Sequence, residues 1–269
     1  MRVSNDDILP KFLYYLLNGY YQSGKTFGYQ NGMGGLKNLD MGRYLDIPIP
    51  IPPKNIQRQV IEECDKAVNE FHITRMSIDA YRQKIEDIFS KLESLTREGY
   101  RLTLSDKDKF SVSIGKRVLN SELVPNSTIP VYSANVNEPF GYVDKLLIDD
   151  FSIESVLWGI DGDWMVSYMP KDTPFYPTDH CGVLRVLTDE VNTRYMARIL
   201  EEEGRKMGFS RSYRASIDRV QGISFSVPDI DVQNKAMEEV MHLEKLITEA
   251  EESLKALSEK RTEVIQKYL

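Results

Sequence analysis

The sequence predicts an α+β fold: a small β-rich α/β domain together with two long antiparallel coiled-coil helices. One observation is a long-range repeat. Ile47-Pro48-Ile49-Pro50-Ile51-Pro52-Pro53 followed by Gln57 returns as Ile223-Ser224-Phe225-Ser226-Val227-Pro228 followed by Gln233, a shift of 176 residues. A second is that a heptad stripe in the same register follows each proline. The third is a dense run of short β signals between the two copies.

The elements follow in order along the chain. Residues 6–19 carry a helical pattern with Asn5 or Asp6 as its cap and Gly19 as its stop. Residues 20–46 are glycine-rich and read as a loop. An alternating apolar strand is expected over 47–51 and a helix over about 54–96. Its first seam carries Gln57, Cys64, Phe71, Ile78, Ile85 and Leu92, and its second Val60, Ala67, Thr74, Tyr81, Ile88 and Leu95. Short strands are expected at 110–114, 129–132, 141–143, 155–158 and 182–186, separated by turn residues. A helix over about 191–203, a basic loop and a strand over 223–227 complete the unit.

The second stripe then runs through Gln233, Val240, Ile247, Leu254, Arg261 and Tyr268, with Ala236, Leu243, Ala250, Leu257 and Val264 beside it. Two-seam stripes need a partner helix, and a helix of about 40 residues is roughly 60 Å long. The expectation is an antiparallel pair closed around Phe71, Ile78, Ile85, Leu92, Val240, Ile247 and Leu254. A similar alignment brings Pro10–Leu17 near Thr193–Leu200. The first copy therefore lacks the β-rich front half of the second.

With 269 residues and 41% hydrophobic residues, the chain can hold one large or two smaller domains. No apolar run approaches a membrane span, and no signal peptide is expected from the polar, acidic start. Two widely separated cysteines, Cys64 and Cys181, fit a reducing, cytoplasmic setting. A net charge of -7 argues against non-specific coating of nucleic acid, which relies on many Lys and Arg on phosphates. One basic island stands inside the acidic middle region: Arg205, Lys206, Arg211, Arg214 and Arg219 against Asp218. Interleaved with Phe209, Ser210, Ser212 and Tyr213, it has the composition of a phosphate and base-edge contact loop.

Catalytic signatures are not indicated. Asn137-Glu138-Pro139-Phe140 lacks the rigid diproline of an amino-methyltransferase motif. Gly28–Lys37 lacks the Gly-Lys-Ser/Thr ending of a phosphate loop. His180-Cys181 has no second ligand pair at finger-like spacing, so no metal is expected. Asp161-Gly162-Asp163 reads as a tight turn with no histidine identifiable beside it.

In its order of elements the chain resembles the specificity subunits of type I restriction-modification systems. The resemblance rests on the Ile47–Pro53 and Ile223–Pro228 junctions with Gln57 and Gln233. It is joined by Ile114-Gly115-Lys116-Arg117, Ile129–Asn135, Gly141-Tyr142-Val143 and Gly159-Ile160-Asp161-Gly162. It implies a tail of a first target-recognition domain over 1–53, a spacer over 54–98, a full second recognition domain over 99–229 and a distal spacer over 230–269. It also implies a subunit without chemistry of its own, which binds double-stranded DNA. Its partners would be a methyltransferase (modification) subunit carrying S-adenosylmethionine and a restriction endonuclease subunit. With one full domain the chain should read one half of a split target, through a homodimer or by pairing with another specificity chain. Expected DNA contacts are Arg211, Tyr213 and Arg214, then Lys116 and Arg117 on phosphates, with Tyr132, Ser133 and Asn135 at base edges. A coiled-coil adaptor whose β-rich domain binds protein is the rival reading.

Overall fold

The computed structural model describes residues 5–32, 37–96 and 99–267. Two compact units divide the chain, one of Met1–Ile85 with His242–Leu269 and the other of Glu86–Met241. The long helices α3 (Lys54–Ser94) and α6 (Ile230–Gln266) contribute to both. Arg261 is described only in its backbone, and Tyr268 lies outside the described residues, as do Met33 to Leu36 of the glycine-rich stretch.

The first unit is built on α1 (Pro10–Gln22). Its apolar face buries Phe12, Tyr15, Leu16 and Tyr20 against Ile47, Val60 and Cys64, and Val264 of α6 joins the same cluster. Val264 packing near the start of α3, and an Arg82 to Glu251 ion pair at 2.9 Å, show that the helices run antiparallel here. Proline at the first helical position suits the start of α1, where a missing N–H costs nothing. The expected cap at Asn5 or Asp6 is corrected to Leu9, whose N–H donates to Gln57 Oε1 at 2.8 Å. Gly19 does not end the helix, because it is buried on the packed face and the backbone continues to Gln22. The loop after it contains a 3₁₀ turn (Lys25–Tyr29), the short ladder β1 (Gln30–Asn31) to β2 (Asn38–Leu39), and α2 (Met41–Leu45). The expected strand at 47–51 is extended chain without ladder pairing. Pro48 and Pro50 have no N–H to donate, which explains the difference.

The second unit carries the β-rich domain. β4 (Phe110–Ile114), β10 (Cys181–Val186), β7 (Ser155–Gly159) and β8 (Val166–Met169) form an antiparallel sheet in that order. A smaller sheet sets β5 (Ile129–Tyr132) between β6 (Gly141–Val143) and β9 (Tyr176–Pro177), the latter parallel. β3 (Leu102–Thr103) pairs with β11 (Ser224–Phe225), the shortened form of the strand expected at 223–227. α4 (Thr193–Met207) packs across β7 and β8, burying Tyr195, Met196 and Leu200. Gly204 of α4 is obligatory, since a Cβ there would come within 2.2 Å of the Trp164 ring. The alignment that sets Pro10 on Thr193 puts the exposed Tyr21 at this position of the first copy. α5 (Ile217–Gln221) leads into β11.

Of the expected helix-pair residues, Ile78, Leu92 and Val240 are fully buried, whereas Phe71, Ile85, Ile247 and Leu254 are half-buried. Leu95, placed on the second seam, is 48% exposed and forms one wall of an open apolar groove with Ile88, Leu92, Val232 and Ala236. The helix ends at Ser94, so the stripe stops before it.

Candidate nucleic-acid interface

Three loops meet at one end of the β-rich domain, and sheet register brings them there. The β7 to β10 pairing sets Trp158 opposite Gly182 and Gly159 opposite Cys181. Continuing it, Ile160 N–H donates to His180 C=O at 3.0 Å. The third loop, 208–216, is tied to the same place: Ala215 N–H donates to Ile160 C=O at 2.9 Å, and the buried Trp158 indole N–H donates to Ala215 C=O at 2.9 Å. Gly182 makes room for that indole, since a Cβ would approach it to 2.1 Å.

The side chains at this junction form a charged cluster. Asp161 has both carboxylate oxygens 2.9 Å from His180 Nδ1, and its Oδ2 lies 3.4 Å from Arg214 Nη2. Asp161 thus does have a histidine beside it, contrary to the expectation from sequence, because 19 residues of separation vanish across an antiparallel pair. Asp179 lies 3.9 Å from His180 Nε2, beyond hydrogen-bonding reach. With Arg214, Ser216, Ile217, Asp218 and Arg219, and with Ile114 and Ile160 on its walls, Asp179 lines an open cleft of about 720 Å³.

Lys116 and Arg117 follow β4 and are exposed. Gly115 passes so close to Pro177 that a Cβ would come within 1.8 Å of its carbonyl oxygen, and Lys116 N–H donates to that carbonyl at 3.1 Å. Ser133 also reaches this turn, accepting from the Thr178 hydroxyl at 3.1 Å. Tyr132 is packed edge-on to Phe175 at 6.4 Å between ring centres, and burial pushes its phenol above its ordinary range. Asn135 is exposed, but its side-chain carbonyl accepts from the Asn137 and Glu138 N–H groups and so caps its own turn.

The basic island divides on inspection. Arg205 is paired with Glu201 at 2.8 Å and Lys206 with Glu203 at 2.7 Å, both on α4. Arg219 stacks 4.0 Å over the Tyr213 ring and donates to Arg214 C=O at 2.7 Å. Tyr213 stacks on Phe209 at 5.8 Å, and Phe209 lies 5.0 Å from Trp164. This ladder of rings fixes a tight turn, in which the Ser210 and Tyr213 backbones exchange hydrogen bonds and Arg211 sits at the tip. Among the described residues of the island, no ion pair holds Arg211 or Arg219, and Arg219 is engaged by the Tyr213 ring and the Arg214 carbonyl.

No family model matches the chain. A Mycoplasma pneumoniae protein assigned as a type I specificity subunit is 23% identical over 245 residues, covering 87% of this chain and 88% of the relative. A second from the same organism is 23% identical over 239 residues, covering 84% and 93%. The specificity subunit of the type I restriction enzyme MpnII, also from that organism, is 24% identical and covers 62% and 51%. The crystal structure of a type I system S subunit from M. genitalium shares the fold, with a TM-score of 0.68 at 17% identity over 99% of this chain and 74% of that one. In sequence and in fold the chain is similar to type I specificity subunits. A structure from work on assembly and conformational transition of the type I system also matches, with a TM-score of 0.60 at 14% identity over 96% and 70%. In this chain the β-rich domain gathers Lys116, Ser133, Asp161, Asp179, His180 and Arg214 around the turn 177–181. Of these, the sequence marks Lys116, Ser133 and Arg214 as DNA contacts, while Asp161 reads there as a turn residue and His180 as a structural one. The signal for the other three was available in the β7 to β10 register, once Trp158 is set opposite Gly182.

Proposed function

We propose that this specificity subunit reads DNA through the end of its β-rich domain formed by the turn 177–181, Lys116 to Arg117 and the loop 208–216. In that role it directs an adenine methyltransferase subunit, and with it an endonuclease subunit, to a split target site. S-adenosylmethionine belongs to the methyltransferase partner in this reading, and the specificity subunit contributes position, not chemistry.

The observation that carries the reading is the convergence of exposed cations with hydrogen-bonding side chains on one anchored surface. Arg211 is exposed on a turn whose backbone is anchored by the stacked rings of Phe209 and Tyr213, which lowers the entropic cost of ordering that turn on a phosphate. Lys116 and Arg117 supply further positive charge on the same end. Backbone contacts of this kind position a protein, and base-edge contacts specify the sequence.

One β-rich domain covers one half-site, so the working complex holds two copies of the chain, or this chain with a different specificity chain. The test is methylome sequencing of cells carrying the chain with its methyltransferase. A split methylated motif with identical halves is the expected result. Unequal halves indicate the mixed pair, and the absence of any new motif refutes the reading.

A further inference from the structure

We propose that the cleft bounded by Arg214 and Asp179 reads a G·C base pair in the major groove, Arg214 donating to guanine and Asp179 accepting from the cytosine amino group. The inference rests on the interface described above and names what part of it distinguishes sequence.

Asp179 is the informative residue. On a surface that faces phosphates, a carboxylate raises the cost of association with every duplex, matched or not. Several acidic side chains near this site are occupied: Asp161 holds His180 and Arg214, while Glu201 and Glu203 hold Arg205 and Lys206; Asp218 sits in the first turn of α5 and shares the cleft with Asp179. Among the described residues His180 Nε2 lies 3.9 Å from the Asp179 carboxylate, and Asp179 lines the cleft. A base-edge amino group is the donor that would offset its charge there, and cytosine N4 is the usual partner of an aspartate in the major groove.

Arg214 supplies the complementary half. Its guanidinium is steadied on one side by Asp161, which His180 in turn holds, and its backbone carbonyl is fixed by Arg219. A braced guanidinium still has a fork of N–H groups to offer, and the paired acceptors O6 and N7 of guanine match that fork. Adenine presents one acceptor and one donor on the same edge, so the two-acceptor fit is lost. Asp161 is a positioning residue in this scheme, since it acts through Arg214.

The test is selection from a randomised duplex pool by the assembled complex, run with the parent chain, Asp179→Ala, Asp179→Asn, Arg214→Lys and Arg211→Ala. Each variant's melting curve is recorded alongside. Expected is a fixed G·C position in the parent that relaxes on the order of ten-fold in Asp179→Ala and Arg214→Lys, the other positions being kept. Asp179→Asn, which keeps the shape and removes the charge, should bind unmatched duplexes more tightly than the parent. Unchanged preference at every position overturns the assignment, and so does relaxation at an A·T pair. If Arg211→Ala and Asp179→Asn both leave affinity for unmatched duplexes untouched, the interface itself lies elsewhere and both readings fall together.

Discussion

Gln57 and Gln233, 176 residues apart, make the same three hydrogen bonds in the two units. Gln57 Oε1 accepts from Leu9 N–H at 2.8 Å, and its Nε2 donates to Asp7 C=O at 2.7 Å and Pro52 C=O at 2.8 Å. Gln233 Oε1 accepts from Asn192 N–H at 2.9 Å, and its Nε2 donates to Glu190 C=O at 2.9 Å and Pro228 C=O at 2.8 Å. Each amide therefore pins the N-cap residue of α1 or α4, the chain just before it and the proline junction to one point. Both glutamines are fully buried.

Replacing either glutamine by alanine leaves one N–H and two carbonyls without their partner. At about 1 to 3 kcal/mol for a buried group left unpaired, a loss of roughly 3 kcal/mol is expected from each. Urea unfolding measures it. Glutamate should be no better than alanine, because an ionised carboxylate cannot donate to the two carbonyls.

Ile78→Asp and Val240→Asp each bury a charge without a partner on the long helices and should cost several kcal/mol. Ile247→Asp, at a half-buried position, should cost distinctly less. Thermal melts rank the three, and equal effects would contradict the burial.

Arg211→Ala should weaken binding to all duplexes alike and lower the slope of log affinity against log salt by about one. Arg205→Ala should change that slope little, because Glu201 already holds its charge. Fluorescence anisotropy titrations at several salt concentrations separate them. The acidic net charge further implies that the chain alone binds a duplex weakly compared with the assembled complex.

Asp65 links α3 to α1, and hydrogen bonds from the Lys11 ammonium and the Tyr15 hydroxyl hold its carboxyl below the ordinary range. A carboxyl lowered in the folded state stabilises it above the unfolded value near pH 4, and this contribution disappears as pH falls through the folded value. Asp65→Asn should therefore be less stable than the parent at neutral pH. The two should converge in acid, as pH-dependent melts of the first unit's transition would show.

What could be read from the sequence was whatever local pattern dictates. The strands at 110–114, 129–132 and 141–143 coincide with β4, β5 and β6, since turn residues bound each of them. The seams of α3 and α6 were visible from their heptads. β8 and β9 were missed: Val166–Met169 carries no clear alternation, and Tyr176–Pro177 is a two-residue strand held by long-range pairing. The same long-range pairing hides the Asp161, Asp179 and His180 cluster. Tyr213, which the sequence marks as a contact residue, has its ring stacked between Phe209 and Arg219 and stays exposed, an arrangement that sequence spacing alone does not give.

The segment 47–53 has a further physical consequence. In the second unit β11 finds a ladder partner in β3, while its counterpart in the first unit pairs with no strand among the described residues. An unpaired extended edge invites a strand from a neighbouring molecule. Pro48, Pro50 and Pro52 fall on alternate positions, so one whole rim of the segment is stripped of N–H donors. That rim cannot template intermolecular β-association, and the alternating prolines protect an extended segment that would otherwise invite aggregation.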